Sequence, residues 1–240
     1  MHCPNCLSCK IKKNGHTHYG KQNYQCKACK RQFVFPSNHY IEEGKRALIR
    51  NALIERLSLR GICRVFQVSL SWLLEFMVKV YSQAPQELGA WLPLKANKNR
   101  LQLIGLELDE AWSYVGNKAN KCWIWVVLEP EKGQVVCFHI GSRGIDSAKA
   151  LCRKIPRRLR IHCDFHTDQW EAYKAVIPQN RHFIGKDFTR HIERLFCTMR
   201  QRMSRLVRKN LAFSKIWSYH KLAIRYFLWQ FNLNNRALHL

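Results

Sequence analysis

The sequence predicts an α/β domain on a mixed sheet, preceded by a small metal-stapled module and a short all-α module. Three observations carry that reading. Two Cys-x2-Cys pairs lie within the first 29 residues, short amphipathic stretches fill residues 41–81, and residues 101–240 hold three apolar runs followed by alternating helical and strand-like segments. The implied division is 1–36, 40–82, a linker at 83–100 carrying Pro85, Pro93 and KANKNR, and 101–240.

The first module rests on the spacing Cys3-x2-Cys6-x19-Cys26-x2-Cys29. Two such knuckles suit one tetrahedral Zn²⁺ held by four thiolates. A stretch this short, with no long apolar periodicity, needs a staple of that kind. Four protein ligands leave no open coordination position, so the ion is expected to be structural. Cys9 is close enough to compete with the first pair, and His16 and His18 are expected as solvated side chains or phosphate contacts. The chain has 11 cysteines, an odd number. With no secretory leader read at the N-terminus, reduced cytosolic thiols are expected rather than a disulfide framework.

The second module contains a helix whose expected stripe is Ala47, Leu48, Ala52, Ile54 and Leu57. After Gly61 come two short helices around Gln67-Val68-Ser69, with stripes Ile62, Val65, Phe66 and then Trp72, Leu73, Phe76, Met77, Val80. Ser69 or Ser71 caps the second. This is the pattern of a DNA-reading helix-turn-helix and equally of an ordinary helical hairpin.

In the third part, LQLIGLELD, CWIWVVLE and VVCFHIG read as an antiparallel meander. A helix at 145–155, a strand at 159–163, a helix at 169–177, a short strand at 182–184 and a long helix from about Thr189 follow. Meander then alternation gives a mixed sheet.

Charge narrows the partner. Lys and Arg total 41 against 16 Asp and Glu, a formal +25. The excess is not a tail, since residues 1–82 alone hold 14 basic and 4 acidic side chains. Self-repulsion of that size calls for an anionic partner, and nucleic acid fits best. No run of 18 apolar residues is present, so no membrane helix is expected.

Acids are scarce, so each is informative. Asp109 is expected to end the first strand, and Asp164 and Asp168 follow the strand at 159–163, with the choice between them open. Asp146 and Asp187 read as helix caps. Between Thr189 and Arg225 ten basic residues accompany one acid, Glu193. Ile192, Leu195, Met199, Met203 and Leu206 form the buried stripe of that helix, with Glu193 at its edge. Carboxylates on two strands and one helix suit Mg²⁺, though a lone Glu among arginines also reads as a salt-bridge partner. Trp112, Trp123, Trp125 and Trp229 read as core, and Trp170, beside Asp168, as a candidate nucleic-acid contact.

These residues together resemble a known family. CPNC…CKAC, the helical stretch around RGICRVFQVS, LDEAWSYVG, HTDQWEAY and HIER are similar to the transposases of bacterial insertion sequences, family of insertion sequence one. The resemblance covers essentially the whole chain. It implies a zinc ribbon and helix-turn-helix fused to a ribonuclease-H-like catalytic domain of the three-carboxylate (DDE) type. Its D-E-x-W segment falls on Asp109, Glu110 and Trp112, its T-D-x-W-x-x-Y on Asp168, Trp170 and Tyr173, and its I-E-R on Glu193 and Arg194. It thus favours Asp168 over Asp164, with 24 residues between Asp168 and Glu193. After I-E-R the family usually has Asn, where this chain has Leu195-Phe196.

The implied set is Asp109, Asp168 and Glu193 on Mg²⁺ or Mn²⁺, Cys3, Cys6, Cys26 and Cys29 on structural Zn²⁺, and Arg194, Arg200 and Trp170 as DNA contacts. The implied activity is cleavage at the element's ends and transfer of the 3′-OH into target DNA. A homo-oligomer on double-stranded DNA, cytoplasmic and nucleoid-associated, goes with it. The alternatives are a non-catalytic DNA-binding regulator and a ribonuclease-H-like nuclease or resolvase.

Overall fold

Two tight cysteine turns and a small antiparallel sheet open the chain. The computed structural model describes residues 1–35, 41–90, 92, 96–97, 100–101, 105–207 and 211–238. Strands β1 (Ile11–His16), β2 (Gln22–Cys26) and β3 (Gln32–Val34) pair in the order β1-β2-β3. The two turns close in the same way. Cys3 N–H donates to the Ser8 carbonyl at 3.0 Å and Leu7 N–H to that of Cys3 at 2.9 Å, while Cys26 and Lys30 repeat this on Arg31 and Cys26 at 2.9 Å. Leu7 and Lys30 are left-handed, with φ of 60° and 64°, a conformation that non-glycine residues hold only where the surroundings impose it. The core is Cys3, Cys26 and Phe33, with Ile11 and Tyr24 against it. This unit, Met1–Ile49, buries too little apolar surface to fold on packing alone.

The second unit is Arg50–Leu240, the boundary falling inside helix α1 (Glu43–Ala52). The expected stripe of α1 is displaced: Ile49 and Ala52 are buried, whereas Leu48 and Leu57 are 59% and 41% exposed. The helix ends at Ala52, so the 3.6-residue period does not extend to Ile54 and Leu57.

Helices α2 (Leu59–Phe66) and α3 (Leu70–Tyr81) meet at 112°. Ser58 Oγ accepts from Gly61 N–H at 3.0 Å and Ser69 Oγ from Trp72 N–H at 3.2 Å, so each helix has its own cap. Gln67, at φ 48°, turns the chain between them. Leu73, Met77 and Val80 are buried as expected, Trp72 and Phe76 stack at 4.8 Å, and Val65 stands exposed. Packing divides the chain differently from composition. Helix α3 lies on α8 (Trp217–Ala237), and Ala84 and Leu88 of the expected linker join the same core. Of the rest of that linker, β4 (Ala96–Asn97) and β5 (Arg100–Leu101) pair as a hairpin, and Pro93 lies outside the described residues.

The expected meander is β6 (Gly105–Tyr114), β7 (Lys121–Glu129) and β8 (Gln134–Gly141); within LQLIGLELD, Leu101 belongs to β5 and residues 102–104 lie outside the described ones. Strands β9 (Asp164–Thr167) and β10 (His182–Ile184) extend it in parallel, giving the order β10-β9-β6-β7-β8. Helix α4 (Ile145–Lys154) is where expected. The segment 159–163 is not a strand: α5 (Arg157–His162) occupies it, and β9 starts just after, at Asp164. Leu159 and Cys163 are one helical turn apart and both buried, a pattern a short apolar run shares with a strand. Helix α6 (Glu171–Lys174) is a single turn, shorter than 169–177. Helix α7 (Arg190–Arg202) stops before Met203, which still packs inward, as Leu206 does from a 3-10 turn.

Alternation along the strands feeds two cores. Ala111, Ile124, Val126 and Leu128 pack under α7 and α8 with Ile192, Leu195, Ile224 and Phe227. Leu106, Leu108, Trp125 and Val127 pack under α4, α5 and α6 with Leu151, Leu159 and Tyr173. Each buried Val, Leu, Ile or Phe among these contributes about 1.5–3 kcal/mol. Among the described residues no single helix is long and apolar enough to cross a membrane.

Candidate active site

Asp109 lies inside β6 rather than at its end. The strand runs on because β7 continues to pair with it as far as Tyr114. Its other edge behaves differently. Parallel pairing with β9 stops at Leu108↔Thr167, so Asp109 and Asp168 are the next residues on either side of the point where that edge opens. Such an opening beyond the carboxyl end of a parallel strand is where α/β sheets place their ligands. Asp109 Oδ1 accepts from Glu110 N–H at 2.7 Å, and Asp168 Oδ1 from Trp170 N–H at 3.0 Å. Asp164 pairs with Gly105 at the other end of β9, roughly 13 Å away along a strand.

Glu193 comes from the exposed side of the first turn of α7. That helix is anchored to β6 by Glu107, two residues before Asp109 and on the same face of the strand. The buried Glu107 carboxylate accepts from Ile192 N–H at 2.8 Å and from His191 Nδ1–H at 2.6 Å. It does the capping expected of Asp187, which instead pairs with Arg190 at the surface, 2.6 Å apart. Asp146 is in the first turn of α4 and makes no cap bond either; the cap position is Gly144.

Asp109 feels the charge of the other two carboxylates. Burial pushes the Asp109 carboxyl up to about 7, the Glu110 N–H opposes this, and the charges of Glu110, Asp168 and Glu193 add to it. Their oxygens are nevertheless more widely spread than the cysteine sulfurs: among the described residues, only Cys3, Cys6, Cys26 and Cys29 bring ligand atoms within 4.8 Å of one another. Two sulfur pairs, Cys3–Cys29 and Cys6–Cys26, are 3.5 Å apart, near the roughly 3.8 Å edge of a tetrahedron with Zn–S of about 2.3 Å. The Arg31 N–H heads the causes that lower the Cys29 thiol to about 6, which favours the thiolate. Cys9 is exposed and outside the set.

The sequence reading did not find Arg143 as part of this region, because one Arg in a Gly-Ser-Arg-Gly turn carries no periodic signal. Arg143 Nε donates to the buried Glu110 at 2.9 Å, and the Tyr173 hydroxyl donates to the same carboxylate at 2.8 Å. Trp125 is fully buried core, as expected, and meets Tyr173 edge-on at 5.4 Å. Trp170 is half-buried with its ring against Arg143. Arg194 is exposed, and Arg200 lines a small surface pocket with Ala111, Trp112 and Phe196. Leu195 and Phe196 are both buried, so they serve the helix's packing side and leave the face of Glu193 unchanged.

Residues 102–233 match the family model for the IS1 transposase. The chain belongs to that family. Similar proteins include the iso-IS1n protein InsB of Shigella dysenteriae, 34% identical over 123 residues, covering 51% of this chain and 92% of that one. InsB of insertion element IS1 from Shigella flexneri is 30% identical over 126 residues, covering 52% and 95%. InsB of insertion element IS1 4 from Escherichia coli K12 is 32% identical over 127 residues, covering 52% and 74%. Asp109, Asp168 and Glu193 all fall inside the span matched to the IS1 transposase model, and the cysteine module and α1 to α3 precede it.

Proposed function

We propose that this transposase cuts and rejoins DNA strands with divalent cations held by Asp109, Asp168 and Glu193. The observation carrying this is that Asp109 and Asp168 flank the point where β9 stops pairing with β6, while the charges of Asp168 and Glu193 add to the opposition to ionisation at buried Asp109. A cation removes that opposition. An all-oxygen donor set fits Mg²⁺ or Mn²⁺, and its spread fits a pair of ions better than one. Such ions, when bound, polarise phosphoryl oxygens and stabilise the attacking and leaving oxygens of an in-line displacement.

The chain's own residues supply position. Asp109 and Asp168 reach the opening from the sheet, Glu193 reaches it from α7, and Glu107 fixes that helix against β6. The strand order, an antiparallel meander whose first strand is central with two parallel strands beyond it, supports a ribonuclease-H-like reading. Cys3, Cys6, Cys26 and Cys29 hold structural Zn²⁺, and the ribbon with the α2–α3 pair binds double-stranded DNA at the element's ends. Arg194, Arg200 and Trp170 contact DNA beside the carboxylates. Joining two ends to a target calls for more than one copy of the chain.

The test is Mg²⁺-dependent processing of a duplex bearing the element's own end. Asp109→Asn, Asp168→Asn and Glu193→Gln should each abolish cleavage, without additive losses, while DNA affinity stays within a few-fold. Asp164→Asn should still cleave. Normal cleavage by Asp168→Asn would refute the assignment. Cleavage without joining to target DNA returns the nuclease reading, and an inert wild type returns the regulator.

A further inference from the structure

The turn between β8 and α4 carries a second constellation beside the carboxylates. The Arg143 guanidinium lies against two indoles, 4.4 Å from the Trp123 ring centroid and 4.1 Å from that of Trp170. Its backbone is held as well. Trp170 Nε1–H donates to the Arg143 carbonyl at 3.3 Å, Trp125 Nε1–H to the Ser142 carbonyl at 2.9 Å, and the Ser142 and Ser147 hydroxyls are 3.2 Å apart. Two indole rings thus lie within 4.4 Å of the guanidinium carbon, and Nε is used by Glu110.

What stays open is the Nη edge. The Arg143 side chain is 41% exposed while that of Glu110 is 1% exposed. Trp170, whose ring lies 4.1 Å from the Arg143 guanidinium, donates its backbone N–H to Asp168 Oδ1 at 3.0 Å, so Arg143 neighbours the carboxylate set. An ordinary surface ion pair needs no such framing, since an exposed pair contributes only about 0–1 kcal/mol and its side chains move freely. A planar fork packed against two aromatic rings and held at Nε by a buried carboxylate is instead pre-organised for a bidentate bond to an anion such as phosphate.

We propose that Arg143 binds one phosphate of the DNA strand lying across Asp109 and Asp168, with Trp123 and Trp170 as walls that keep its fork aimed. This rests on the phosphoryl-transfer reading above. Lysine cannot substitute, because a point charge neither stacks nor forks.

The test pairs protein variants with neutralised phosphates. Duplexes bearing the element's end, each with one phosphate replaced by a methylphosphonate, are titrated with wild type, Arg143→Gln and Arg143→Lys in Ca²⁺, with affinity as the readout. In the wild type one position should cost on the order of tenfold, and in both variants that penalty should vanish while the others remain. Far-ultraviolet circular dichroism reports whether each variant is folded, and Arg143→Lys serves if Arg143→Gln is not. Penalties that add to the variants' losses at every position would overturn the proposal. A wild type that shows the position-specific penalty but never cleaves in Mg²⁺ would instead sink the phosphoryl-transfer reading and leave the phosphate contact standing.

Discussion

Glu107 and His220 are buried polar residues with structural work in the second unit. Glu107 ties β6 to the start of α7 through two bonds. Glu107→Ala strands the Ile192 N–H and should cost about 1.5–3 kcal/mol, as for other hydrogen bonds to a charged group. Denaturant midpoints measure the loss, and isothermal titration with Mn²⁺ should show weaker binding, because Glu193 is no longer held. Unchanged Mn²⁺ affinity would mean α7 is fixed by packing alone. His220 is fully buried between the Ser113 and Ser214 hydroxyls, at 3.3 and 3.0 Å. Burial, aided by Arg205, lowers its pKa from 6.5 to about 4. The unfolded chain therefore takes up the proton first. The resulting stability is complete above about 6.5 and is lost as pH falls through about 4, an effect on the order of 3 kcal/mol. His220→Gln should flatten that part of the stability–pH profile; an equally steep acid limb would assign it to other groups.

At the scale of elements, caps decide where helices begin. Ser69→Ala removes the bond to Trp72 N–H and should destabilise α3 by about 1 kcal/mol, lowering the melting temperature by a few degrees. Ser71→Ala, inside the helix on an exposed position, should change it little. The two serines were equivalent in the sequence because both precede the apolar stripe; the bond to an N–H three residues on separates them. The same limit applies elsewhere. The meander, α4 and the inward stripe of α7 were legible, since their periods run long enough to be unambiguous. The strand at 159–163 was misread because Leu159 and Cys163 fit either period. Asp109 was placed at a strand end, though what opens beside it is the end of its partner β9, a fact of pairing and not of local sequence. Glu107 as the cap of α7 was invisible for the same reason, its partners lying 84 and 85 residues away.

Across the whole molecule, charge and the two units make separate predictions. With +25 formal charges, DNA affinity should fall on the order of 10³-fold between 50 and 200 mM salt if about six phosphates are neutralised. A nearly flat titration would remove phosphate contact as the main source of binding. All eight tryptophans lie at position 72 or later, so their emission reports Arg50–Leu240 alone. If the four thiolates hold zinc as proposed, chelation of the metal, or Cys26→Ser, should release the β1–β3 sheet, because metal binding would supply its folding energy. Circular dichroism and metal analysis would register that loss while tryptophan emission holds. Retention of full zinc content by Cys26→Ser would contradict the four-thiolate site.

The four rungs that join β6 to β9, from Gly105↔Asp164 to Leu108↔Thr167, also bear on the order in which the chain matures. The β6–β7 and β7–β8 hairpins close short loops, whereas Asp109 and Asp168 are 59 residues apart. Longer closures cost more chain entropy and form later. A half-folded or freshly synthesised chain should thus carry the meander with Asp109 in place before the carboxylate set is assembled. The capacity to break DNA, on the reading given above, waits for both β9 and α7 to join β6, which would leave immature copies harmless to the DNA around them.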